Sequence, residues 1–542
     1  MSNDSLLAAS SRDHRTSGIY YALLVPAMLI VLVACIPLAL YPEDGKRIVD
    51  SVLAWITQRF GWLFLWTGLG SLPLMAWFAF GPLGRIKFGS ADEAPEFGNL
   101  SWFAMLFCGG IGISIVNWAF VEPLYIYMSP PLGMDAKTPT AMEWAAMYPM
   151  QHWGLVPWAL YLLPSLPIGY LLYVRRGKSM RFGEICTGVL PARHRGWLGR
   201  VIDIVVILSI VGGVGTSLGL SVPLVSSLIA HQLGAGDGIV LQGTVLTIWL
   251  CLIGYSVYSG LNKGIRYLSN INAVLAIAML LLVLLVGPFT FLMNLASNSM
   301  GLLADNFFRI NLWTDPLGDG SFPRNWTIFY WAWWIAYCPM MGLFVARISR
   351  GRTIRQVVVH GTAWGSLGCI VFFAIWGGYA LYLEANGIAP VTATLDKEGI
   401  SATVILVLST LPMPKLVLLL FTVLCFVFLA TTVDSASYTL ASLATREIDG
   451  YQQPSRGHRV LWVALLGVVG VGLLSVGGLK AAQISTVIVA VPMIPVLICL
   501  ALALVRWARE DFGSRISATS LSLPTSVREA SQGKFPKPQE ET

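Results

Sequence analysis

Three short stretches hold the side chains able to do selective chemistry. The run "HWGLVPWALY" (152–161) gathers Trp153, Trp158 and Tyr161. The run "FYWAWWIAYCPMMGLFVARISRGR" (329–352) carries Trp331, Trp333, Trp334 and Tyr337 and ends in a burst of arginine. On a helix, i,i+3 and i,i+4 spacing places Trp158 with Tyr161, Trp331 with Trp334, and Trp333 with Tyr337 on shared faces. A desolvated aromatic face attracts a cation by about 2 kcal/mol or more, and it suits a quaternary ammonium group, which has no N–H to donate. The third stretch, "CGGIGIS" (108–114), clusters Gly109, Gly110 and Gly112. Glycine loosens a helix and lets a ligand approach the backbone. For any one ring the ordinary alternative is packing or anchoring at a membrane interface. That alternative explains Trp62 and Trp66 well. It explains less well two multi-aromatic clusters beside helix-breaking residues.

Acid is scarce in the apolar runs: Glu122, Asp203 and Asp434 read as lying near their ends. A buried cation without a counter-charge normally needs a carboxylate partner. The expected ligand therefore brings its own negative charge, as a betaine-type zwitterion does.

The elements that position these residues follow from composition. The chain has 542 residues, 56% hydrophobic and 12% charged, more apolar surface than a soluble interior can hide. Twelve runs are long enough to span a bilayer, near 18–40, 60–81, 100–127, 145–174, 201–230, 240–260, 267–295, 326–346, 356–383, 415–444, 460–479 and 481–505. The first lacks a clean cleavage site and reads as a retained span. The glycines of run 3 and Pro339 of run 8 read as helix breaks five runs apart, the offset an inverted repeat requires. Loops 296–325 and 384–414 are expected to hold short surface helices.

Basic residues set the orientation. Loop 175–200 alone holds Arg175, Arg176, Lys178, Arg181, Arg193, Arg195 and Arg200. With twelve spans, this bias predicts both termini in the cytoplasm. The net charge of +7 is thus a topology signal, and nucleic-acid binding is a poor reading without a basic soluble domain. The organisation expected is a tail over 1–17, one membrane domain over 18–507 and a disordered tail over 508–542. The eight cysteines show no CxxC pairing and read as apolar packers. Six histidines without ligand spacing, and no cluster of nucleophiles or acids, disfavour an enzyme.

These stretches carry a resemblance. "WTIFYWAWWIAYCPMMGLFVARISRGRT", "SWFAMLFCGGIGISIVNWAFVEP" and "HWGLVPWALY" resemble signatures of the betaine/choline/carnitine transporter family, and "SLGLS", "NKGIRYLSN" and "DSAS" agree. The resemblance implies an all-α membrane protein of twelve transmembrane helices. Runs 3–12 would form the five-plus-five inverted repeat of a sodium-symporter-like fold, and the assembly would be a homotrimer in the inner cell membrane, surrounded by lipid. It implies an ammonium box of Trp153, Trp158, Tyr161 and Trp334, with Trp333 and Tyr337 further along the substrate path. The glycine stretch would be Gly110-x-Gly112. Ser114 stands where choline-specific members tend to have an aspartate, which disfavours choline. Asn117 reads either as a hydrogen-bonding partner of the substrate or as a packing amide.

For coupling, the resemblance implies sodium held by Thr431 and Thr432 with the backbone carbonyls of Cys108, Ile111 and Phe428. Taken alone, a membrane threonine pair usually bonds back to its own helix. Ile210 and Val214 replace the hydroxyls of a second family sodium site. Met341 matches sodium-independent exchangers, whereas Asn272 and Thr432 do not. The function expected is import of glycine betaine or carnitine with sodium, by alternating access. The rivals are a sodium-independent carnitine/betaine exchanger and a betaine sensor without flux. Asp434 reads as a proton or gating group, or as a packing or capping one. The charge-balanced tail favours constitutive over osmotically regulated activity.

Overall fold

The computed structural model describes residues 18–110, 112, 114–259, 264–448, 452–475 and 479–520. Among these, the only extended pairings are isolated bridges, Ile19 to Thr445 and Lys87 to Thr353. Everything else regular is helix, as expected where lipid offers the backbone no hydrogen-bond partners.

Each apolar run has a helical counterpart. Runs 1 and 2 are α1 (Tyr21–Leu40) and α2 (Pro42–Phe80). Run 3 divides into α3 (Asn99–Gly110) and α4 (Ser114–Met128). Run 4 divides into α5 (Pro139–His152) and α6 (Leu155–Gly169). A short α7 (Phe182–Cys186) precedes α8 (Arg195–Leu233), which is run 5. Runs 6 and 7 are α9 (Ile239–Ser259) and α10 (Gly264–Val286). Next come α11 (Phe289–Leu312), a short α12 (Ser321–Asn325) and α13 (Thr327–Ile348), the last being run 8. Run 9 comprises α14 (Ile354–Phe372), a π turn over Phe373–Gly377 and α15 (Gly378–Ala385). After α16 (Val391–Glu398) and α17 (Ile400–Ser409), runs 10 to 12 are α18 (Pro414–Leu443), α19 (Arg456–Ser475) and α20 (Leu479–Ser520). Among the described residues, eight helical stretches are long and apolar enough to cross a membrane, α5–α6 counting as one of them, or nine if the bent pair α10–α11 counts as one span.

Four features differ from the sequence reading. First, Pro339 does not break run 8. Proline at this position deprives the Ile335 carbonyl of its usual amide donor, and the Cys338 thiol donates to that carbonyl instead, at 3.1 Å. The helix α13 therefore runs through. Second, run 4 is broken at Trp153–Gly154, where Gly154 has φ −88° and ψ −131°. Pro157 sits in the first turn of α6, where a missing N–H costs nothing. Third, run 7 ends at Val286, at Gly287–Pro288, and the chain turns through 112° into the 24-residue α11. That helix occupies most of the loop expected at 296–325. It also separates runs 3–7 from runs 8–12 along the chain, where a five-plus-five division falls. Fourth, α20 continues to Ser520, past residue 507, so the segment expected as tail begins as helix. The break in run 3 stands where the glycines predict it, with Gly112 at φ +53°.

Packing brings the broken runs together. Helices α6 and α13 lie along each other, and α8 packs against both α18 and α20. On the arginine-rich side, the segment after α2 pairs with the segment after α13. Phe88 donates its N–H to the Arg352 carbonyl (2.9 Å), Gly351 to Phe88 (2.7 Å) and Ile354 to Ile86 (2.9 Å). Arg352 is buried here, 4.0 Å over the Trp102 ring, and donates to Asn99 Oδ1 and the Phe97 carbonyl. It is a structural staple as well as a charged residue at a membrane edge.

Candidate functional site

The two aromatic runs converge because α6 and α13 are neighbours and because Trp153 sits at the break between α5 and α6. Trp153 meets Trp334 with ring centroids 4.9 Å apart and planes at 74°, and Trp333 at 5.9 Å and 82°. Tyr161 stands at 86° to Trp334, 5.5 Å away. Trp333 and Trp334 stack at 9°. Trp158 reaches Tyr161 at 5.8 Å and 79°, and Tyr337 reaches Tyr161 at 6.0 Å. All six rings are buried. Trp331 is not among them. Its ring lies against Gly68 of α2, so the shared face with Trp334 expected from spacing is not used.

Two glycines make room. A Cβ on Gly365 of α14 would lie 2.2 Å from the Trp158 ring, and one on Gly213 of α8 would lie 2.7 Å from Tyr337. Each ring rests directly on a neighbouring backbone.

Behind the rings lies a network that sequence reading missed. Glu122 is fully buried within α4. Its carboxylate accepts from His152 Nδ1 (2.7 Å), Trp153 Nε1 (2.9 Å) and the Tyr330 hydroxyl. His152 Nε2 lies 3.0 Å from Thr327 Oγ1. The His152 carbonyl, at the end of α5 where helix carbonyls lack intrahelical donors, accepts from Trp334 Nε1 at 2.8 Å. Scarce as acid is in the runs, one carboxylate does contact a ring of the cluster. The usable signal was an acid in an apolar run together with the histidine beside Trp153.

Several polar atoms here find no protein partner: both amide atoms of Asn117, Trp333 Nε1 and the Tyr161 hydroxyl. Ser114, at the start of α4, has its Oγ 3.3 Å from Ser217 Oγ of α8.

At the run 3 break, α3 ends at Gly110 and α4 starts at Ser114. A helix carries partial negative charge at its C-terminus and partial positive charge at its N-terminus. The break therefore offers a cation one helix end and an anion the other. The Cys108 carbonyl is among the last carbonyls of α3. Ile111 lies outside the described residues. A Cβ on Gly112 would lie 2.5 Å from Thr432 Oγ1, so that hydroxyl touches the break. Both Thr431 and Thr432 donate to the Phe428 carbonyl, at 2.8 and 3.0 Å. This is the local back-bonding usual for membrane threonines, and it leaves the hydroxyl lone pairs free. Ile210, Val214 and Met341 are buried, and both amide atoms of Asn272 lack partners. Asp434 is ion-paired with Arg459 at 2.6 Å, tying α18 to α19.

A helical membrane chain whose spans break around a buried interior has the architecture of a secondary transporter. Residues 22–513 match the model of the betaine/carnitine/choline family transporters, abbreviated BCCT, and the chain belongs to that family. Among solved structures it is similar to a Na+-coupled sialic acid symporter in a substrate-bound outward-open state. Identity there is 14%, over 83% of this chain and 86% of the other, with a TM-score of 0.39, too low to carry an argument.

Proposed function

We propose that the protein imports a trimethylammonium zwitterion, glycine betaine or carnitine, together with sodium. One observation carries this reading: the rings of Trp153, Tyr161 and Trp334 are buried, and Trp153 and Tyr161 each stand steeply to Trp334, at 74° and 86°. Walls at such angles offer a rounded onium head several π faces at once, and cation–π attraction is strongest when desolvated. Trp333 and Tyr337 extend the aromatic path. The Glu122 carboxylate already accepts three hydrogen bonds and stands behind Trp153, so it is not free to pair directly with a substrate. The unpartnered donors of Asn117, Trp333 and Tyr161, with the N-terminus of α4, suit a substrate carboxylate. Ser114 supplies no charge.

For sodium, the reading rests on Thr432 touching Gly112, on Thr431 beside it, and on the Cys108 carbonyl near the end of α3, to which the family resemblance adds the carbonyl of Ile111. Phe428 would contribute its carbonyl from α18. Runs 3, 4, 8 and 9 would rock against the rest around the fixed site. In a homotrimer within the inner membrane, both termini would face the cytoplasm.

Binding measured by tryptophan fluorescence tests the box. Trp153→Ala and Trp334→Ala should each weaken glycine betaine binding by roughly ten-fold or more, about 1.4 kcal/mol. Unchanged affinity in both removes the box. A second reading, sodium-independent exchange, is favoured by Met341, buried on α13. Uptake into proteoliposomes with sodium replaced by potassium separates the two. Loss of uptake supports the symporter, and undiminished uptake the exchanger.

A further inference from the structure

We infer that Glu122 is a positioning residue that acts through Trp153. Its carboxylate orients and polarises the indole, so that the ring face holds a quaternary ammonium more tightly than an uncharged group of the same shape. This rests on the proposed box and deepens it.

A carboxylate is a costly choice for this place. Ionisable groups in a membrane interior are expensive, and a carboxamide or hydroxyl can also accept hydrogen bonds. Among the described residues no lysine or arginine pairs with Glu122, and its one ion-pair partner is His152. His152 need carry no charge. With Nδ1–H donating to Glu122, the other ring nitrogen can accept the Thr327 hydroxyl proton across 3.0 Å. Three donors turned toward the carboxylate oxygens favour its ionised form.

That charge bears on the box through two rings. Trp153 donates its indole N–H directly to Glu122 at 2.9 Å. A hydrogen bond to an anion is stronger than a neutral one, and it shifts electron density into the donor's π system. Tyr330, also bonded to Glu122, stacks against Trp333 at 5.9 Å and Trp334 at 5.8 Å. A cation on the Trp153 face gains from the enriched ring and from the anion behind it, in surroundings that screen poorly. A neutral tert-butyl group gains from neither.

The experiment compares glycine betaine with its carbon isostere 3,3-dimethylbutanoate. Binding is measured on wild-type protein, Glu122→Gln and Trp153→Phe, with thermal melting as a check on folding. Glutamine keeps the volume and removes the charge; Trp153→Phe keeps an aromatic face and removes the N–H. Expected is a wild-type preference for betaine that falls roughly ten-fold in both variants, while binding of the isostere stays within about two-fold. Equal losses for both ligands would mark Glu122 as structural and overturn the inference, as would a preference that survives Glu122→Gln. Should Glu122→Gln fail to fold, Glu122→Met, which also removes the charge and touches no wall of the box, takes its place: a retained preference overturns the inference, and one lost with isostere binding unchanged supports it. Wild-type protein showing no preference for betaine sinks the box itself, and this inference with it.

Discussion

Thr432 and Gly112 meet closely at the break in run 3. Gly112 has φ +53°, and its missing side chain leaves the space that Thr432 Oγ1 occupies. Alanine there incurs about 1–2 kcal/mol from the left-handed backbone alone. Its methyl group must also displace a hydroxyl 2.5 Å away. Gly112→Ala is therefore expected to raise the sodium concentration for half-maximal uptake several-fold, and Thr432→Ala to do the same without strain. If both variants give the wild-type sodium titration curve in proteoliposomes, the ion does not lie at this contact. Much at this scale was legible beforehand. Tryptophans at helical spacing in two spans pointed to a gathered cluster, although Trp331, read by the same spacing, lies against Gly68 instead. Glu122 was not legible. Its sequence neighbourhood reads as a span end, and only the packing of α4 against α5 and α13 shows how deeply it is enclosed.

Helix continuity matters as much as side-chain identity. Trp158 lies flat on Gly365 of α14, and Tyr337 lies on Gly213 of α8. The rings thus report the spacing between helices. Gly365→Ala places a methyl 2.2 Å from the Trp158 ring while adding no polar or charged group. It should lower betaine affinity by roughly five-fold or more through ring displacement, with a smaller change in melting temperature than Trp158→Ala, which leaves a cavity. Equilibrium binding and thermal melting on the same preparations check this; wild-type affinity for Gly365→Ala would mean that Trp158 is not a wall of the box. Apolar runs predicted the helices well, since lipid forces an unbroken backbone ladder over about 20 residues. They predicted breaks unevenly. Pro339 looked like a break, yet the neighbouring Cys338 thiol serves the orphaned Ile335 carbonyl. Trp153–Gly154 is a break signalled only by one glycine, too common a residue in membrane helices to be decisive.

Across the whole molecule, the proposed motion must cross ties on the arginine-rich side. Arg175, just after run 4, grips Asp511 through two nitrogens at 2.8 and 2.9 Å and reaches Glu510 at 2.7 Å. Tyr170 also donates to Asp511 at 2.8 Å, and the Arg175 guanidinium lies 5.1 Å from the Trp507 ring centre. Run 4 belongs to the set proposed to rock and α20 to the rest, so this cluster couples the two. Burial is the largest influence on the Asp511 carboxyl and opposes its ionisation. Hydrogen bonds from Arg175 and Tyr170, with the Arg175 charge, outweigh it and hold the pKa below the usual value. A depressed carboxylate pKa adds stability that is complete above the unfolded value, about 3.9, and is lost as pH falls through the folded one. Asp511→Asn should accordingly lower the melting temperature by the same amount at pH 7 and pH 5, because the carboxylate is ionised at both. Below about pH 4 the gap between variant and wild type should close. The cluster is partly exposed, so the gap should also shrink in high salt. Melting curves across pH and salt decide the matter: a gap that widens on acidification, or ignores salt, would mean that Asp511 stabilises this face by packing and not by its charge.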